Sequence, residues 1–220
     1  MTSIIADTDA TDARAAGNKA ANLASLAAAG FDVPPFFVID PERFDGASAA
    51  VRRELAEALG RLGGERFAVR SSSSEEDGEQ ASFAGQFASF LDISADDVPQ
   101  FASRVIASAS GAHINFYRQA KNLAAGQRSP AVLVQRMVKA SASGVAFAAD
   151  VSTGDSHTAV VAAVAGTGDR LVGGDVQGDT WWVRRNGRIA NRAIEGAAAV
   201  LSDRQVRQVA RLVRRVSRAR

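Results

Sequence analysis

The sequence predicts an α+β fold of two lobes with a cleft between them. Apolar residues recur at helical spacing through much of the first 120 positions. Short apolar runs set off by Gly-rich turns follow, the pattern of strands and hairpins. The chain has 220 residues, 46% apolar and 23% charged, which is long enough for a sizeable core and excludes a disordered chain. The expected division is an N-terminal lobe over 1–120, a strand-rich second lobe over 121–203 and a basic C-terminal helix over 204–220.

Each element has a local reason. Ala16, Ala20, Leu23 and Leu26 or Ala27 recur at 3–4 spacing, so a helix is predicted over 14–30, with Gly30 as its stop. Val33-Pro34-Pro35 is a rigid connector, Phe36-Phe37-Val38-Ile39 a buried strand and Asp40-Pro41 a turn. A second helix is predicted over 47–62, stopped by Gly63-Gly64. Residues 66–70 form a strand, and 71–78 a polar loop of serines and acids. A strand at 90–93 and a helix at 98–120 follow, the helix capped by Asp96 or Asp97. Strands are predicted at 131–138 and 144–150, with a turn at 152–155. The continuous apolar run 158–164 reads as a central strand. Glycines 166, 168, 173 and 174 mark a flexible stretch. A hairpin spans 180–184 and 188–193, turning at Gly187. Ser202 caps a last helix with a Val206, Val209, Val213 and Val216 stripe.

Composition removes several function classes. The absence of cysteine excludes disulfide scaffolds, thiolate zinc sites and cysteine nucleophiles. No run approaches the about 18 apolar residues of a membrane span, and the first 12 residues lack the basic start of a secretory signal; a cytoplasmic protein is expected. Seven of the 26 basic residues lie at or after Arg204 and no acid follows Asp203. The first 203 residues therefore carry 19 bases against 24 acids, and the basic character belongs to the tail. That distribution argues against nucleic-acid binding.

Three features could carry chemistry. Lys19 precedes the other two lysines, Lys121 and Lys139, by a hundred residues in a chain that otherwise uses arginine. Its ammonium suits a phosphate oxygen or is simply solvated. Arg70 ends a strand, where its guanidinium either points into a cleft or pairs with Glu75 or Glu76. The loop Ser82-Phe83-Ala84-Gly85-Gln86 has small residues that let backbone N–H groups approach an anion, or is an ordinary turn. Gly166-Thr167-Gly168 lacks the spacing of a dinucleotide fingerprint. His113 and His157 have no carboxylate or histidine at ligand spacing, and read as structural or surface residues.

These features occur in order in one known family. Gly17-Asn18-Lys19-Ala20-Ala21-Asn22-Leu23 resembles a G-G-K-x-A-N-L opening, and Gly30-Phe31-Asp32-Val33-Pro34-Pro35-Phe36-Phe37-Val38 resembles G-x-x-V-P-P-G-F-V. Residues 67–77 resemble V-A-V-R-S-S-A-x-x-E-D, and Ala81-Ser82-Phe83-Ala84-Gly85-Gln86 resembles A-S-F-A-G-Q. Val134-Gln135-Arg136-Met137-Val138 and Ser143-Gly144-Val145-Ala146-Phe147 resemble V-Q-x-M-V and S-G-V-x-F. Gly166-Thr167-Gly168-Asp169 with Val172-Gly173-Gly174-Asp175 resembles G-x-G-E-x-x-V-x-G-E. Over 14 to about 216 the chain resembles the N-terminal ATP-binding domain of phosphoenolpyruvate synthases, pyruvate phosphate dikinases and rifampicin phosphotransferases. Phe36 stands where the family has Gly, Asn18 replaces its second Gly and Asp169 replaces Glu.

The resemblance implies an ATP-grasp-like domain binding ATP between two lobes. By position, Lys19 and Arg70 are the catalytic phosphate contacts and Ser82, Phe83, Ala84, Gly85 and Gln86 cover the phosphates. Gln135, Met137 and Val138 lie at the adenine and Asp169 near the sugar. It implies transfer of phosphate from ATP to a histidine on a swivelling domain or partner polypeptide, and thence to pyruvate or another acceptor. It also implies that the family's domain continues past the final helix to Mg²⁺ ligands; the chain stops at Arg220 before them, so its Mg²⁺ ligands are not identifiable. Two alternatives accompany this ATP-dependent phosphotransferase. One is a truncated, non-catalytic relative that binds a nucleotide or phospholigand. The other is a scaffold whose basic tail binds nucleic acid or an acidic partner. An exposed valine stripe on the last helix would favour a homodimer.

Overall fold

The computed structural model describes residues 3–73, 88–108 and 129–219. It divides into two compact units, Met1–Val138 and Lys139–Arg220. The division falls at Val138 instead of residue 120, and the C-terminal helix belongs to the second unit.

The first unit contains β1 (Ile4–Ala6), α1 (Ala13–Ala28), β2 (Phe36–Ile39), α2 (Ala49–Leu62), β3 (Arg66–Ser72), β4 (Ser89–Ser94), α3 (Val98–Ser108) and β5 (Ala131–Arg136). Its sheet runs β1-β2-β5-β3-β4, antiparallel at every pairing. The boundary moved because β5, predicted as the start of the second lobe, inserts between β2 and β3. The short strand β1 has no counterpart in the sequence reading. Of the helix predicted over 98–120, the part to Ser108 is described, and its remainder lies outside the described residues.

All four residues of β2 are buried, and the pleat sends them to two different layers. Phe37 and Ile39 join Phe67, Val69, Val132 and Val134 under α2 and α3. Phe36 and Val38 join Ala131 and Leu133 under Ala16, Ala20 and Ala24 of α1. Small alanines let α1 lie close to its sheet face. The helix ends at Ala28, two residues before the predicted stop. Gly30, at φ 76°, then accepts the left-handed turn: its N–H donates to Ala27 O and that of Phe31 to Leu26 O. This double closure is the Schellman ending that favours glycine. Ser71 and Ser72, predicted as loop, instead complete β3 and are each 1% exposed.

The second unit is a four-stranded antiparallel meander: β6 (Ala142–Phe147), β7 (Thr158–Ala165), β8 (Asp179–Arg184) and β9 (Ile189–Ala193). A short helix, α4 (Asp169–Gly173), occupies the stretch predicted as flexible. Helix α5 (Asp203–Arg218) starts with a capping box of Ser202 and Gln205, which satisfies two helix-start donors reciprocally. Its Val206 and Ala210 are fully buried on Ala159, Val161, Trp181 and Val183, with Val209 and Val213 packed beside them. Val206, Val209 and Val213 of the predicted stripe thus pack on the chain's own sheet. Among the described residues no helix is long and apolar enough to cross a membrane.

Two polar features organise this unit. Arg214 donates from Nη2 to Val183 O at 2.6 Å. Burial and then the charges of Arg185 and Arg218 push its guanidinium below the usual arginine range. In the turn before β7, Asp150 accepts the Ser152 hydroxyl at 2.6 Å, and Asp155 accepts that of Thr158 at 2.6 Å. These hydroxyls hold both carboxyls below the usual carboxylate range. Their contribution to stability is complete above that range and is lost as pH falls through the lowered values. Ser152→Ala is expected to return the Asp150 titration upward toward an ordinary aspartate. A carboxyl NMR titration checks this, and an unchanged midpoint would contradict the assignment.

Candidate functional site

Helix α1 is two helical segments in series. Gly17, at φ 77° and ψ 164°, is non-helical and breaks it. That backbone region is essentially restricted to glycine. The close approach of β3 adds a second requirement. A Cβ on Gly17 would lie 2.1 Å from the Ser72 carbonyl oxygen and 2.5 Å from its hydroxyl.

The second segment therefore begins at Asn18 against the end of β3. The N–H of Asn18 donates to Ser73 O at 3.1 Å. The N–H of Ala20 donates to Ser72 Oγ at 3.1 Å. Lys19, half-buried, sits between these two anchored residues.

Arg70 lies on the same face of the sheet. In β3, Phe67 and Val69 point into the layer under α2 and α3, so Ala68, Arg70 and Ser72 point toward α1. Arg70 is half-buried and stands opposite Leu133, part of the layer under α1. Among the described residues no carboxylate pairs with Arg70; Glu75 and Glu76 lie outside them. A half-buried guanidinium that no described carboxylate neutralises is well disposed to an anionic ligand. A cavity of about 800 Å³ lies on the opposite face, between α2 and α3, away from both cations.

The other predicted residues divide. Gln135 shares the α1 face, opposite Ala68 and Phe36, and donates from Nε2 to Pro34 O at 2.9 Å. Met137 donates its N–H to Arg66 O at 2.9 Å. Val138, 57% exposed, ends the first unit. Asp169 belongs to the second unit and opens α4. The Thr167 hydroxyl, chiefly, keeps its carboxyl below the usual range. Ser82, Phe83, Ala84, Gly85, Gln86 and His113 lie outside the described residues. His157 is exposed beside Asp155. Among the described residues no three His, Asp or Glu side chains gather to hold a metal ion.

Sequence reasoning overlooked Ser72 and Ser73. A glycine inside a helical pattern, together with serines directly after an apolar strand, was the available signal.

Comparison with known proteins agrees with the resemblance. The chain is 32% identical to a probable phosphoenolpyruvate synthase of Methanothermobacter thermautotrophicus, over 78% of its length and 32% of the relative's. It is 39% identical to a rifampicin phosphotransferase of a Streptomyces species, over 68% of its length and 17% of that protein's. It is 32% identical to the prodigiosin synthesizing transferase PigC of Serratia marcescens, over 81% and 23% respectively. The chain thus spans about a third or less of these curated relatives. Residues 41–211 match the family described as pyruvate phosphate dikinase, AMP/ATP-binding domain; Arg70, Gln135, Met137, Val138 and Asp169 fall inside that span and Lys19 before it. The chain belongs to this AMP/ATP-binding domain family.

Proposed function

We propose that the chain binds ATP and presents one of its phosphoryl groups to a histidine on a partner domain or polypeptide, as one component of a dikinase-type phosphotransferase. The observation that supports this most is the placement of Lys19 and Arg70. Both are carried on one face of the five-stranded sheet, by a helix and a strand bonded to each other through Asn18, Ala20, Ser72 and Ser73. Family membership supports the nucleotide. The relatives' names cover three different activities, which with the AMP/ATP-binding family match supports a shared nucleotide step and an acceptor chosen outside this domain.

In this reading the Lys19 ammonium and the Arg70 guanidinium take phosphate oxygens, and the loop of Ser82, Phe83, Ala84, Gly85 and Gln86 covers them. Gln135, Met137 and Val138 meet the adenine. Because the Met137 N–H is already donated, that residue would offer its carbonyl or thioether. Asp169 takes the sugar. During transfer a P–O bond to the leaving phosphate breaks as a P–N bond to the histidine forms. Negative charge grows on the leaving oxygen, and fixed cations there stabilise the transition state more than the ground state. The resemblance implies Mg²⁺ as well; among the described residues no three His, Asp or Glu side chains gather to hold it, and no step is assigned to it.

Titration of ATP into the 220-residue chain, with and without Mg²⁺, tests the proposal. Binding is expected, and Lys19→Ala or Arg70→Ala should each weaken it at least about tenfold, or about 1.4 kcal/mol. A folded wild-type chain that binds no ATP in either condition would overturn it.

A further inference from the structure

A helix start leaves its first N–H groups without partners inside the helix. The usual remedy is a side-chain oxygen on the preceding, N-cap residue. In the second segment of α1 that place belongs to Gly17, which has no side chain. The missing oxygen comes from another element. Ser72, 1% exposed, accepts the Ala20 N–H on its hydroxyl, and the next carbonyl accepts that of Asn18. The strand therefore caps the helix from outside.

This cap joins the two cations. Ser72 follows Arg70 by two residues on the same face of β3. Its hydroxyl holds the residue directly after Lys19. The path from Arg70 to Lys19 thus runs along two residues of strand, through the Ser72 hydroxyl to the Ala20 N–H, and back one residue of helix. We infer that Ser72 is a positioning residue: it sets the spacing of Lys19 relative to Arg70 for the phosphate chain of ATP. Its effect is exerted through Lys19, so it contributes to phosphate binding without touching the ligand. The inference rests on the ATP reading above.

A double-mutant cycle separates this role from plain stabilisation. ATP is titrated into the wild type, Ser72→Ala, Lys19→Ala and the double variant of the 220-residue chain, and thermal unfolding of each is recorded. If Ser72 acts through Lys19, Ser72→Ala weakens binding about fivefold or more in the wild-type background and less than about twofold in the Lys19→Ala background. The loss of thermal stability, by contrast, should be alike in both backgrounds. Should Ser72→Ala fail to fold, Ser72→Cys takes its place, since sulfur is close in size and a weaker acceptor.

Equal losses of affinity in both backgrounds, or no loss in either, would overturn the inference while the ATP reading stands on the Lys19→Ala result. A wild type that does not bind ATP would overturn both.

Discussion

Gly17→Ala is expected to be among the most damaging single substitutions in the first unit, costing at least about 3 kcal/mol. Two independent penalties combine. The new side chain would have to adopt φ 77° and ψ 164°, a region that costs a non-glycine residue about 1–3 kcal/mol. Its Cβ would also meet the Ser72 carbonyl at 2.1 Å, which is strand backbone and cannot rotate away. Relief requires the helix to lift from β3, and that breaks the bonds made by Asn18 and Ala20. Urea unfolding followed by far-UV circular dichroism measures the cost. Amide hydrogen exchange at Asn18 and Ala20 locates it. A loss below about 1 kcal/mol with unchanged exchange would show that the close approach is not maintained in solution.

Asp179→Ala should cost about 2–5 kcal/mol in the second unit. Asp179 is 3% exposed. One carboxylate oxygen accepts the Glu195 N–H at 2.9 Å and the other accepts that of Val200 at 2.7 Å. These bonds hold the stretch between β9 and α5, which leads the buried face of α5 onto its sheet. Removing the carboxylate leaves two partly buried donors without acceptors, at about 1–3 kcal/mol each. Asp179→Asn keeps one acceptor oxygen and should lose about half as much. Both tryptophans, Trp181 and Trp182, lie in β8 of this unit, so tryptophan fluorescence during denaturation reports on it directly. An Asp179→Ala midpoint equal to that of the wild type would refute the organising role.

Legibility in the sequence followed the range of the forces involved. The helix α2, the strand β2 and the β8–β9 hairpin depend on local periodicity and turn residues, and they stand within a few residues of their predicted places. The serines of β3 were misread because Ser71 and Ser72 look like loop residues one at a time. Ser72 is buried against α1, more than fifty residues earlier, and Ser71 turns to the opposite face of the strand. The domain boundary shifted for a similar reason: nothing local to residues 131–136 says that they pair with β2 and β3. At the site, Lys19 and Arg70 stood out by residue type and position, yet their common sheet face depends on the register of β3 against β5. The doubling of α1 at Gly17 was hidden because alanines on both sides keep the helical spacing.

The gathering of arginines around Arg214 has a consequence for the molecule in solution. The first unit holds 13 basic against 17 acidic residues, the second 13 against 7. A formal charge of +2 therefore conceals one anionic and one cationic body on a single chain. An isoelectric point near 9.5 describes neither. Such a chain should be retained by cation and anion exchangers alike at neutral pH. At low ionic strength the unlike units of different molecules attract; above about 0.1 M salt, screening over about 10 Å weakens that attraction. Moderate salt should then redissolve concentrated protein instead of precipitating it.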